Sequence, residues 1–162
     1  GNIILAARQA AELYDKSDVI IIESKNIGQA YSALTLLDYS EDDAEKIAQK
    51  LREDMSDVST GMITCSVRDA HLNGVDISSG DYIGFIDKTM LVSEKKKEDA
   101  FKGLAEKMKV GEHEFCIAVF GKEANEDERN EAESYISKNY PMVEFYSIDG
   151  GQDVYDYILI LE

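Results

Sequence analysis

The chain has 162 residues, 44% of them hydrophobic and 31% charged, with one proline and 11 glycines. That balance fits one ordinary domain with a packed core and excludes a disordered or low-complexity chain. Lys and Arg number 17 against 33 Asp and Glu, a net charge of −16, which repels nucleic acid and anionic lipid head groups and favours a partner with a basic face.

In chain order, "NIILAARQAAELYDK" places Ile3, Ile4, Ala7, Ala10, Ala11 and Tyr14 at helical spacing, with Asn2 as N-cap. A helix this early predicts an element upstream of Gly1 and an alanine-rich face packed on a sheet. "DVIIIES" (18–24) predicts a buried strand. "GQAYSALTLLD" (28–38) is helical through Ala30, Ala33, Leu34 and Leu37. The next helix carries Ala44, Ile47, Ala48, Leu51 and Met55 as its apolar stripe, with Ser40 predicted as its cap.

The period then changes from helical to alternating. "TGMITCSVRDAHL" (60–72) sets Ile63, Cys65 and Val67 against Met62, Thr64, Ser66 and Arg68. Asn73-Gly74 and Ser79-Gly80-Asp81 signal turns, and "DYIGFIDKTMLVSE" returns as strand, so 58–93 predicts an antiparallel meander, a possible sub-lobe. A helix over 95–109 turns Phe101, Leu104, Ala105 and Met108 inward. "EFCIAVFGK" is a central strand, Asn125 and Glu128 form a capping box for a helix over 126–139, and Pro141 closes it. "MVEFYSI", the Gly150-Gly151 turn and a last strand complete an α/β chain: a mixed sheet with flanking helices and a meander insert.

Few stretches suggest chemistry. Cys65 and Cys116 are too few for a disulfide framework, so a reducing cytoplasmic compartment is expected. His113 with Cys116, and Cys65 with His71, lack zinc-knuckle spacing, and no metal site is expected. No apolar run approaches the roughly 20 residues that span a bilayer, and no signal-peptide pattern opens the chain, so no membrane insertion is expected. Phosphate loops, dinucleotide fingerprints, nucleophile elbows and H-E-x-x-H are missing from the sequence. "SEDD" and "NEDE" begin helices, where carboxylates suit the dipole. Two polar stretches remain. Arg68-Asp69 ends a strand, where an arginine can fork onto a carboxylate or phosphate or simply make a surface ion pair. "GGQDVYDYILILE" sets Gly150, Gly151 and Gln152 directly before a strand, either as a plain turn or as a point of close approach to another chain.

Four stretches together resemble one family: "NIILAARQAAEL", "SKNIGQAYSALTLLD", "GMITCSVRDAHLNGVDISSGDYIGFID" and "DGGQDVYDYILILE". They are similar to the C-terminal domain of the bacterial fatty acid kinase FakA proteins, long described as dihydroxyacetone kinase-like. Asp153 and Asp156 stand where the family usually has prolines. The resemblance implies a fold of the DhaK (dihydroxyacetone-binding) and DegV group, and a single non-catalytic domain, 1–162, of a larger kinase. That domain would dock a DegV-type fatty acid carrier, so that a separate kinase domain, with ATP and magnesium, phosphorylates the bound fatty acid. No cofactor is then expected in this chain, and other domains of its parent are further partners. Arg68, Asp69, Gly150, Gly151 and Gln152 are the candidate partner-binding residues. The competing implication is a small-ligand domain like the dihydroxyacetone-binding DhaK proteins, which hold substrate through a histidine; His71 and His113 are the histidines present.

Overall fold

The computed structural model describes residues 2–162, and the chain divides into two compact units, one ending at Val58 and the other running from Ser59 to Glu162.

The first unit is helical: α1 (Asn2–Leu13), α2 (Ile27–Thr35) and α3 (Ala44–Ser56). Ala33 of α2 meets Leu51 and Met55 of α3, with Ile22, Leu37 and Ile47 packed around them. The cap of α3 is Asp43, whose carboxylate accepts from the Glu45 and Lys46 N–H groups at 3.1 and 3.3 Å. Ser40 does not cap it, because its own N–H and hydroxyl both donate to Asp38 at 2.8 and 2.6 Å. A charged acceptor also serves the positive helix end better than a hydroxyl. The strand expected at 18–24 is absent: the segment is irregular and Ile20, Ile21 and Ile22 are only half buried. A β-branched run needs a neighbouring strand to satisfy its backbone, and this unit contains three helices and no ladder edge among its described residues. None of the residues of α1 is fully buried, and Ile3 and Leu13 are each 86% exposed. Asn2 is itself the first helical residue.

The second unit is built on a six-stranded sheet. Its elements are β1 (Ser59–Cys65), β2 (Ala70–Leu72), β3 (Val75–Ile77), β4 (Tyr82–Ile86), β5 (Thr89–Glu94), α4 (Lys97–Lys107), β6 (Phe115–Phe120), α5 (Glu126–Asn139), β7 (Glu144–Asp149) and β8 (Tyr157–Leu161). The strand order is β5-β4-β1-β8-β6-β7, with β2 and β3 paired separately. Only β6 and β7 run parallel, joined by α5 as a crossover; the other described pairs are antiparallel. The mixed α/β sheet is therefore as the sequence leads one to expect; within it β1, β4 and β5 are antiparallel neighbours, and β2–β3 form a separate hairpin. The alternation over 60–72 breaks at Ser66, whose hydroxyl donates to Arg68 O at 2.8 Å and whose N–H donates to Asp81 O at 2.7 Å. The β2–β3 hairpin turns at Asn73 and Gly74, both with positive φ (54° and 81°), as the Asn-Gly pair predicts.

Helix α4 presents Phe101, Leu104 and Ala105, with Met108 just past its end, and α5 presents Ala132 and Ile136, to one cluster with Ile63, Phe120, Tyr157 and Leu159 of the sheet. Burying each large side chain contributes roughly 1.5–3 kcal/mol. The helix sits close because Gly84 has no side chain: a Cβ there would lie 2.6 Å from Val92 Cγ2 and 3.3 Å from Leu104 Cβ. The capping box of α5 forms as expected, with Asn125 and Glu128 exchanging side chain-to-backbone bonds of 3.0 Å in both directions. All five residues of β8 are buried. That is why the last strand reads as an unbroken aliphatic run: it lies between β1 and β6 in the middle of the sheet.

Candidate partner-binding rim

The glycine turn in front of β8 has a topological cause. Strand β7 is at the sheet edge and β8 is two places inward, so the chain must cross the end of β6 to insert beside β1. The crossing is pinned throughout. Gly150 N–H and Gly151 N–H both donate to Phe120 O (3.0 and 3.2 Å), Lys122 N–H to Gln152 O (3.1 Å), Gly121 N–H to Asp156 O (2.8 Å) and Asp156 N–H to Ile63 O (2.8 Å). The loop lies against β6 so closely that a Cβ on Gly121 would meet Tyr155 O at 2.5 Å. Gly151 has φ of +62°.

This crossing gathers the sequence-selected residues at one end of the sheet. Strands β1, β6 and β7 all finish there and β4 and β8 begin there. Thr64 Oγ1 of β1 donates to Val154 O at 2.6 Å, tying β1 to the crossing loop. Gly150 and Gly151 are exposed. Gln152 is not simply a surface amide, because its Nε2 donates to Val119 O at 3.2 Å and it is half buried. Asp69 Oδ1 accepts from Ser79 N–H at 2.7 Å, fixing the loop that carries Arg68. Arg68 is exposed and has no ion-pair partner among the described residues.

Other cations of the rim are engaged. Lys95 pairs with Asp81, Lys122 with Asp153, and Arg129 with Asp149 at 3.1 Å. Lys97 is the most enclosed: its side chain is 15% exposed, its Nζ is 3.0 Å from Glu128 and 3.2 Å from Asp156, and it lies over the rings of Tyr82 and Tyr157. Burial works against its ammonium, but hydrogen bonds to Glu128 and Asp156 outweigh it and hold the pKa above the ordinary lysine value. Glu128 thus serves two roles, since one oxygen completes the α5 capping box and the other holds Lys97. Sequence reasoning missed this network because its members are far apart in the chain. The one local sign was a lysine at the first position of α4, where a bare cation opposes the helix dipole.

The histidines and cysteines do not assemble. His71 Nδ1 is 2.6 Å from Asp76 Oδ1 on the exposed β2–β3 hairpin, and His113 follows the short 3₁₀ turn Val110–Glu112. Burial pushes the Cys116 thiol up to about 12, which leaves it an unreactive core group, while Cys65 is exposed. Among the described residues no group of three His, Cys, Asp or Glu is arranged to hold a metal ion. Nor, among those residues, is any helix long and apolar enough to cross a membrane.

The arrangement of sheet and helices is that of the DegV group. The solved fatty acid kinase B3 protein of Streptococcus pneumoniae, loaded with linoleic acid, superposes with a TM-score of 0.68 at 9% identity, over 98% of this chain and 66% of that one. DegV of Bacillus subtilis, a fatty acid binding protein, gives 0.63 at 18% identity over 99% and 66%. At these identities the likeness is one of fold. By sequence the chain belongs to the FakA-like C-terminal family, that of the C-terminal domain of fatty acid kinase FakA and its relatives, whose model matches residues 1–162. Protein YloV of Bacillus subtilis is 32% identical over 161 residues, and a Staphylococcus saprophyticus protein 32% over 162. Both matches cover 99% of this chain and only 29% of the relative, so the chain spans about three-tenths of those proteins' length.

Proposed function

We propose that this chain is a non-catalytic module of a fatty acid kinase and docks a DegV-type fatty acid-carrying protein for a kinase domain elsewhere in the parent protein. The family match over the whole chain carries this reading. Transfer of phosphate from ATP, with magnesium, is assigned to that other domain. The docking surface is the rim around Arg68, Asp69, Gly150, Gly151 and Gln152. Supporting it are the exposed, unpaired guanidinium of Arg68 on a loop braced by Asp69, and the exposed glycine backbone of the crossing loop tied to the same sheet end. An arginine so placed can fork onto a partner carboxylate. The strongly acidic remainder of the chain would steer a partner with a basic face towards it.

Calorimetric titration of a fatty acid-loaded DegV-family protein into the parent protein tests the reading. Saturable binding is expected, weakened about tenfold or more by Arg68→Ala, as for loss of a charge-assisted contact, with the melting temperature unchanged. Absence of binding by the wild type removes the docking role. Wild-type affinity in Arg68→Ala removes the rim as its site.

A further inference from the structure

The first unit is acidic, with six Lys and Arg against twelve Asp and Glu over residues 1–58. Half of those cations nevertheless line one cleft of about 440 Å³: Arg8, Lys25 and Arg52, with Glu23 as the one carboxylate among its lining residues. Glu23 is ion-paired with Arg8. Lys25 and Arg52 have no ion-pair partner among the described residues. Gathering cations around one space is unfavourable by Coulomb repulsion unless a counter-charge enters it. The positive end of α2 begins between Lys25 and Gln29, two residues of the same wall, and adds to that field.

The end of α3 would oppose an anion here, because carbonyl groups converge at a helix C-terminus. Two of them are occupied. Gln29 Nε2 donates to Met55 O at 3.1 Å, and Ser56 Oγ donates to Glu53 O at 2.7 Å. Gln29 is held in place by the Lys25 N–H, which donates to its Oε1 at 2.8 Å. Ile21, half buried, gives the cleft an apolar portion, whereas Met55, also at its wall, is 4% exposed and packed with Ala33 and Leu51.

We propose that this cleft is a binding site for a phosphate monoester with a short aliphatic group. Two unpaired cations match the two negative charges of the phosphate, with its oxygens on Lys25 and Arg52 and its aliphatic part on Ile21. This site belongs to the first unit alone and is independent of carrier docking.

The test is NMR titration of the isotope-labelled chain with butyl phosphate, inorganic phosphate and butyrate, and needs no carrier protein. Butyl phosphate is expected to bind most tightly, shifting the amides of Lys25, Gln29, Arg52 and Ser56, and to weaken as salt is raised. Lys25→Gln and Arg52→Gln should each lower its affinity about tenfold, as for loss of a charge-assisted hydrogen bond. Arg52→Lys should fall between wild type and Arg52→Gln. The melting temperatures of all three variants should match wild type, since both side chains are exposed. The proposal is overturned if no probe gives saturable shifts at millimolar concentration, if shifts fall outside this cleft, or if the variants bind as wild type does. Equal binding of inorganic phosphate would remove the aliphatic contact, and equal binding of butyrate would remove the preference for a dianion; either result overturns the assignment.

Discussion

Asp81 stands just before β4 with its side chain 8% exposed, and its carboxylate is fully occupied: Ser78 N–H at 3.0 Å, Ser93 Oγ at 3.1 Å and the Lys95 ammonium. The Lys95 hydrogen bond above all, then that of the Ser78 N–H, holds the pKa below its ordinary value of 3.8, against the opposing effect of burial. A carboxyl whose pKa is lowered by folding stabilises the fold above its unfolded pKa, and that contribution disappears as pH falls through the lower folded value. The stability difference between wild type and Asp81→Asn, measured by urea denaturation, should be full at neutral pH and shrink below about pH 4. A difference that persists undiminished at the acid limit would mean that the negative charge is not what these donors hold. Spacing in the sequence marked the Ser-Gly-Asp turn, but not that its aspartate would anchor Ser93 of β5 and Lys95 just beyond it.

At the scale of elements, legibility followed range. The α5 capping box was readable because both partners lie within four residues, and the β2–β3 turn because Asn-Gly itself prefers positive φ. The 18–24 segment misled because apolar β-branched composition reports a preference, whereas a strand also needs a partner. The crossing loop before β8 lay between these cases: its glycines were visible, but the reason for them was not. Gly121, which did not stand out in the sequence, carries the tightest backbone contact of that loop. Gly121→Ala should destabilise the protein by about 2 kcal/mol, typical of overpacking, because Tyr155 O, Asp156 O and Gln152 O all lie within 3.2 Å of the new methyl position. A loss under about 0.5 kcal/mol in chemical denaturation, the range of ordinary surface changes, would show that the loop shifts freely.

Across the molecule, apolar burial is unevenly shared. The second unit has a continuous cluster of 17 buried residues; the first has a cluster of three, Ala33, Leu51 and Met55. Local opening is easiest where few apolar contacts must be broken. Hydrogen exchange should therefore be slowest in β1, β6 and β8 and markedly faster through α1, α2 and α3. Comparable protection in α2 and β8 would contradict this division of stability.

The sequence by itself determined the class of fold, the helices and most strands, because periodicity, caps and turn residues are local properties of the chain, and the family through the resemblance of four of its stretches. It also determined the strong negative charge and the apolar character of Tyr157–Leu161. Only the tertiary structure decided that this last strand enters the centre of the sheet, that Gln152 fastens the loop to Val119, and that Lys97 is enclosed by Glu128 and Asp156. It alone also brought Arg8, Lys25 and Arg52 to one cleft. Each of these depends on strand order or helix placement, which join residues dozens of positions apart, and no spacing within a single element encodes such a meeting.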